Sequence, residues 1–334
     1  MHHEITASHS GKRPAAAPKW PSYKGKSHLV GTSSDGHVTV FVDPSLGAPA
    51  LQNAKDLLGD ADRVVSANDA IFGTIGGPVN VIVFALGGAT DGTGGADHMG
   101  CDYTSGNDIE VCASFGSPNR VSALFEAELS ECSMGGNLCG QSNGEALSRW
   151  CAAVIGNNAL SDFATAPQWV SDGMPDFVNR TDPTDQNPDS TGCGMAFLSW
   201  LQSLGYGLGQ IAPAMVALSD SGTFAQVYGH LTSNPEAQAW PAFQSAIKAL
   251  PSGVTNDDPF GGGPQVAGLA LAPETVALAG AIFARILADV SAGRTAQQIV
   301  GSVHEAMLAA QPVFGTGTPA AVCRLGSRRL LPPK

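Results

Sequence analysis

The sequence is short of basic residues. Lys and Arg number 17 against 29 Asp and Glu, giving a net charge of −12 and a pI near 4.9. A nucleic-acid partner calls for a basic face, so that class of function is excluded. Long apolar runs are also missing: nothing approaches the roughly 18–20 residues of a membrane-spanning helix, and no membrane span is expected. Charged residues of both signs make up only 14% while 43% are hydrophobic, which excludes a disordered chain and points to a folded one with ample core. No Cys-x-x-Cys pair offers a structural zinc site. The glycine runs at 92–95 and 261–263 lack the strand, helix and Lys-Ser/Thr context of phosphate-binding loops. The N-terminal Met1-His-His-Glu-Ile-Thr6 lacks the charged-then-apolar layout of a signal peptide.

Cysteine, by contrast, is plentiful: of seven, six fall between Cys101 and Cys193. Cys101 and Cys112 flank a turn-rich segment and are spaced to staple a hairpin, and Cys132 and Cys139 are spaced to close a short loop. Such pairing favours an oxidising compartment, secreted or periplasmic, with the cytoplasm as the alternative, and leaves Cys323 as the odd thiol.

Residues 1–26 are polar and Ala/Pro/Lys-rich between Pro14 and Pro21, and read as a flexible leader. Val38–Asp43, Val79–Leu86 and Asp108–Ser114 read as strands, and the second is apolar enough to lie in the centre of a sheet. Leu51, Ala54, Leu57, Leu58 and Ala61 have helical spacing within 51–67. From Pro118 onward the patterns turn helical, at about 119–134, 142–155, 195–204, 209–218, 223–231 and 240–249. Residues 251–266 read as a linker, and 267–334 as an amphipathic helical hairpin with a basic tail. Strands first and helices after imply an α+β fold: a small mixed sheet followed by a mainly helical half over 27–250, plus a C-terminal helical hairpin.

Within the first of those helices, Val121, Leu124, Phe125, Glu128 and Cys132 form one stripe, with Glu131 at its edge and Glu126 on the opposite side. A carboxylate on a buried face is costly unless it is paired, protonated or bound to a metal. Two carboxylates one turn apart also push one pKa upward, which separates a general acid from a base. Glu128 and Glu131 are therefore the leading candidates for chemistry.

A small sheet, then a helix with a motif in its middle, then a helical half resembles the gluzincin type of metallopeptidase. There the motif helix carries HExxH, with two His binding zinc and the Glu activating water. The matching segment here is the degenerate Ala127-Glu-Leu-Ser-Glu131, with Glu128 at the catalytic position and Ala127 and Glu131 where the His ligands would stand. Pro167-Gln-Trp-Val-Ser-Asp-Gly-Met-Pro-Asp-Phe-Val178 is similar to the P-x-W-L-x-E-G-x-A-D-Y-V segment of plant basic secretory proteins and related peptidases. The first acidic residue of that segment is a third zinc ligand, which maps onto Asp172, although Pro175 stands where the family has a helix former. Gly192 to Leu201 is similar to the helix that follows, so the resemblance covers roughly 105–205. The strings AELSE, NGEALSR and DPTD also resemble those of a group of bacterial proteins.

The resemblance implies an acidic cleft with Glu128, Glu131 and Asp172 as catalytic groups. A divalent metal, calcium or zinc, would be held by Glu131 and Asp172 with His98, the His that lies nearest in sequence, in a glycine-rich loop. Glu145 competes as a third ligand, since its Asn-Gly-Glu-Ala-Leu-Ser string resembles that of thermolysin-like enzymes. A capping box from Ser142 to Glu145 and an i,i+4 pair with Arg149 assign it a structural role instead. The Asp182, Asp185 and Asp189 group lacks EF-hand spacing and reads as turn-making. The expected function is a hydrolase acting on a peptide or polysaccharide, through paired carboxylates or a hard metal ion. A non-catalytic binding relative and a zinc peptidase with atypical ligands are the alternatives.

Overall fold

The computed structural model describes residues 18–86 and 94–261. All of them belong to one compact unit. Residues 262–266 of the expected linker, the hairpin and tail over 267–334, and Cys323 lie outside the described residues. The architecture is α+β: a five-stranded mixed sheet and eight α-helices among the described residues. No described helix is long and apolar enough to cross a membrane.

The sheet comprises β1 (His28–Thr32), β2 (Val38–Val42), β3 (Val79–Phe84), β4 (Ala96–His98) and β5 (Asp108–Cys112), in the order β1-β2-β3-β5-β4. β2, β3 and β5 run parallel, while β1 and β4 lie antiparallel at the two ends. The three parallel strands are those the alternation of β-branched residues predicts, and apolar β3 lies between β2 and β5. The terminal strands escape a sequence reading. β4 has three residues, Ala-Asp-His, whose extended form comes from pairing with Val111, Glu110 and Ile109 rather than from their own propensity.

Helix α1 (Gly47–Phe72) covers one side of the sheet and ends at Gly73, whose φ of 68° only glycine adopts without strain. It is longer than the predicted 51–67, and buried Asn53 ties its first half to the carbonyls of Ala113 and Ser114 beyond β5. The end of the expected leader is anchored rather than loose. Ser22 and Tyr23 donate their backbone N–H groups to buried Glu110, and Trp20 and Tyr23 meet Phe41 and Phe84 edge-on.

The helical half contains α2 (Pro118–Ser133), α3 (Ser142–Ile155), α4 (Ala166–Ser171), α5 (Pro188–Ser203), α6 (Leu208–Leu218), α7 (Phe224–Thr232) and α8 (Ala239–Lys248). Its core is aromatic: Trp200 stacks on Tyr228 at 5.5 Å and Trp169 on Phe243 at 5.7 Å, all gathered around α5, which is buried from Ser190 to Gln202. A second apolar cluster joins the sheet, α1 and α2 through Leu57, Val64, Val81, Val111 and Phe125. α3 contributes Leu147 and Trp150 to the first cluster and Ala152 to the second. Residues 251–261 do not bridge freely either: Asp258 accepts a hydrogen bond from Ser199 on α5 at 2.6 Å.

Helix α2 packs against α1, α3, β4 and β5. The side opposite the catalytic candidates is therefore not a solvent face, and Glu126 is fully buried there. Neither of its carboxyl oxygens meets a hydrogen-bond donor among the described residues. Burial holds its pKa well above the ordinary value, with Arg63 opposing and Asp69 assisting. The folded state thus binds a proton that the unfolded state gives up above its ordinary value of 4.5, and stability falls as pH rises from there towards the folded value. Glu126→Gln is expected to raise the urea midpoint at pH 7. The gain should shrink towards zero below pH 4.5, where Glu126 is protonated in both states; a gain independent of pH would contradict a buried neutral carboxyl.

Candidate active site

Three elements meet around a cavity of about 640 Å³: terminal strand β4 with the loop after it, α2, and α3. Leu124, Ala127, Glu128 and Glu131, spaced i, i+3, i+4, i+7, form the α2 wall. His98 stands at the end of β4 with its side chain only 9% exposed. Its Nε2 lies 2.8 Å from an oxygen of Glu131 and 3.5 Å from an oxygen of Glu128, whose side chains are 17% and 14% exposed. The Nδ1 side meets the carbonyl of Gly100, which can only accept. With an acceptor at each nitrogen the protonated ring is favoured, and a cation binding at Nε2 would displace that proton. Burial by itself lowers the His98 pKa, but the Glu131 hydrogen bond, the charges of Glu128 and Glu131 and the Gly100 carbonyl outweigh it and carry it up to about 9.

The loop that presents His98 is built locally. Asp102 accepts from the backbone N–H groups of Thr104 and Ser105 and from the Thr104 hydroxyl, and Gly106 N–H closes the turn on the Asp102 carbonyl. Gly106 is required by close approach. A Cβ there would stand 1.6 Å from the Gly100 oxygen and 3.1 Å from His98 Nδ1. Cys132 of α2 donates its thiol to the Gly106 carbonyl at 3.2 Å, which ties the loop to the motif helix.

Glu145 lines the same cavity, and the structural role expected for it does not form. Gln141, not Ser142, is the residue that caps α3, and the Ser142 hydroxyl turns outward from the helix to Thr184 and Ser190. Arg149 does not pair with Glu145. It bonds to Asp257 at 3.1 Å and to the Phe163 carbonyl. The carboxyl released by these two substitutions faces Glu131, and burial followed by the Glu131 charge lifts its pKa to about 7. Burial, then Glu131, likewise holds Glu128 well above its ordinary value, with His98 opposing.

Asp172, expected in the cleft, is not among the residues that line it. It is exposed at the C-terminal end of α4, next to Asp189 of the first turn of α5. α4 is only six residues long and stops at Gly173, φ 91°, with Pro175 close behind, so the chain turns before reaching α2. Asp185, in the loop that precedes α5, does line the cavity, while Asp182 accepts from Asn187 and shapes that loop. The string Gly140-Gln-Ser-Asn-Gly144 has the spacing of a nucleophile elbow, but Ser142 is 1% exposed and spends its hydroxyl on Thr184 and Ser190.

The disulfide also differs from expectation. Cys101 joins Cys139, across the cleft rim, so neither the Cys101–Cys112 nor the Cys132–Cys139 pairing forms. The reason is topological: the loop after β4 and the turn after α2 meet only once the sheet has packed on the helices. Cys101 Sγ, a ring nitrogen of His98 and an oxygen of Glu131 lie within 4.8 Å of one another.

Chemically, the cavity wall carries the carboxyls of Glu128 and Glu131, both facing the His98 imidazole, together with those of Glu145, Asp97 and Asp185. Arg149, the other cation on its wall, is taken up by Asp257. One nitrogen donor with several oxygens, in excess negative charge, fits a divalent cation. Asp257 keeps Arg149 out of this arrangement and accepts the N–H groups of Thr165 and Ala166 at the start of α4. Asp257→Ala leaves a largely buried guanidinium without its carboxylate, at an expected cost of about 3 kcal/mol. The change should appear as a lower urea midpoint at unchanged slope; a midpoint like that of the parent protein would show the pair to be dispensable. Comparison of the chain with family models, with curated proteins and with solved structures finds no match, and the functional reading rests on this geometry.

Proposed function

We propose that the chain is a hydrolase of extended peptides, with Glu128 as general base and a divalent cation held by His98, Glu131 and Glu145. The observation that carries the reading is the His98 ring set 2.8 Å from Glu131 and 3.5 Å from Glu128 inside a cavity that Glu145 also lines. When bound, such a cation polarises a carbonyl and activates water. The chain's own residues do the rest. Glu128 shares the open face of α2 with Glu131 and can take a proton from water and return it to the leaving amine. With Nδ1 held by the Gly100 carbonyl, His98 presents Nε2, the nitrogen beside Glu131, as the one that would ligate the cation. Ala127, at a ligand position of the gluzincin motif, bears only a methyl group on the cleft wall, and His98 from β4 supplies the imidazole in its stead.

A peptide is favoured over a polysaccharide because β4 is the last strand of the sheet among the described residues and lines the cavity. An extended chain laid along it would add a strand and run past Glu128 and Glu131. A terminal antiparallel strand, a motif helix and a following helix with a third carboxyl support the gluzincin-like reading of the fold. The Cys101–Cys139 disulfide supports a secreted or periplasmic setting.

The test is cleavage of a fluorogenic peptide library by protein stripped with chelator and then supplied with zinc, manganese or calcium. Glu128→Gln should lower kcat/KM by about 10²-fold or more, while Asp172→Asn stays within about twofold, as expected of a surface group. Glu145→Gln should raise the cation concentration needed for half-maximal rate. Absence of cleavage under every cation, cleavage of oligosaccharides instead, or full activity in Glu128→Gln would each overturn the proposal.

A further inference from the structure

We propose that the Cys101–Cys139 disulfide is a redox gate on the cleft: its reduction frees Cys101 to join His98 and Glu131 in a sulfur–nitrogen–oxygen site for a thiophilic divalent cation such as zinc. The inference deepens the reading above by naming how its cation site is regulated, and it rests on that cleft without depending on the catalytic assignment of Glu128.

The donor atoms are already together. Cys101 Sγ, the His98 ring nitrogen and a Glu131 oxygen lie within 4.8 Å of one another, and both cysteines of the disulfide line the cavity. The two residues differ in exposure. Cys101 is 7% exposed, whereas Cys139 is exposed at the rim. A dithiol reductant therefore reaches Cys139 Sγ from solvent. Its first thiolate forms a bond to that sulfur, the Cys101–Cys139 bond breaks, and the electron pair leaves on Cys101 Sγ. The second thiol of the reductant then displaces Cys139, which takes up a proton, and the reductant departs as its own disulfide. Two electrons have passed to the protein, and Cys101 is released into the cleft as the thiolate that a cation requires.

Reduction leaves Cys101 where it stands, because other contacts hold it. Its carbonyl accepts the Gly136 N–H at 2.7 Å, and the Asp102 turn follows immediately, closed by Gly106. Cys139 is followed by Gly140 at φ 65°, in the turn between α2 and α3, and has no such anchor among the described hydrogen bonds. Sulfur changes what the cleft selects. With the disulfide closed, the donors are nitrogen and oxygen, a set open to calcium, magnesium or manganese; adding a thiolate shifts the preference to zinc. Cys132, Cys151 and Cys193 are buried and do not line the cavity, so they do not compete as ligands there.

Cobalt(II) and zinc titrations of the whole chain provide the test, with far-ultraviolet circular dichroism confirming the fold. Protein reduced by a dithiol, then freed of it under anaerobic conditions, should develop a sulfur-to-cobalt charge-transfer band that saturates at one equivalent and is abolished by zinc. Cys139→Ser should show the band without reductant and bind zinc at least about tenfold tighter than the Cys101→Ser/Cys139→Ser double variant. Adding His98→Ala to Cys139→Ser should weaken zinc binding again. Oxidised protein should show no band. Absence of the band from both reduced protein and Cys139→Ser, or equal zinc affinity in the single and double variants, overturns the gate. Should Cys139→Ser not fold, the reduced parent protein decides alone. A cysteine-dependent band without peptide cleavage would leave the gate standing and sink the hydrolase; cation-dependent cleavage without the band would do the reverse.

Discussion

Helix α2 carries the carboxyls of Glu126, Glu128 and Glu131 into an interior shared by α1, α3, β4 and β5, and the electrostatic cost of doing so shapes the surrounding structure. Each carboxyl meets that cost differently. Glu131 has His98, whose ring lies between it and the Gly100 carbonyl. Glu128 keeps partial access to the cavity and a longer contact to the same ring. Glu126 has neither, and burial drives it towards its neutral form.

The scaffold serves that one arrangement. β4 is short and sits at the sheet's end, so its registry with β5 is what sets His98 opposite the open face of α2. The Asp102 turn, Gly106 and the Cys132 thiol fix the loop behind the ring. On the far wall, Asp257 draws Arg149 away from Glu145, which keeps the cleft acidic where an i,i+4 pair would have neutralised it. Segments 18–26 and 251–261, which look like a leader and a linker, thereby take part in the folded unit through Glu110, Ser199 and Arg149.

The misassigned groups show where local reasoning stops. Glu145 satisfies two local rules, a capping box and a helical ion pair, and obeys neither, because Ser142 and Arg149 find partners 42 and 108 residues away. Asp172 matches a motif segment in type and order, yet α4 ends too early for it to arrive at α2. For Glu145 a long-range contact outweighs local preferences worth only a few tenths of a kcal/mol to about 1 kcal/mol, whereas for Asp172 the early end of α4 at Gly173 and Pro175 decides.

Periodicity alone determined much: the parallel strands β2, β3 and β5, the helices α2, α3, α6, α7 and α8 with the second half of α5, and the placing of Glu128 and Glu131 on one face of α2. These follow from alternation and the 3.6-residue repeat, which are properties of consecutive residues. What tertiary structure alone decided was the company those residues keep. It made a strand of Ala96–His98, brought His98 to Glu131, joined Cys101 to Cys139, admitted Glu145 and left Asp172 outside. Each of these depends on where a sheet edge, two helices and their loops meet in space, and no spacing along the chain encodes that meeting. The helix with buried carboxylates was legible from the start; the imidazole and the sulfur beside it were not.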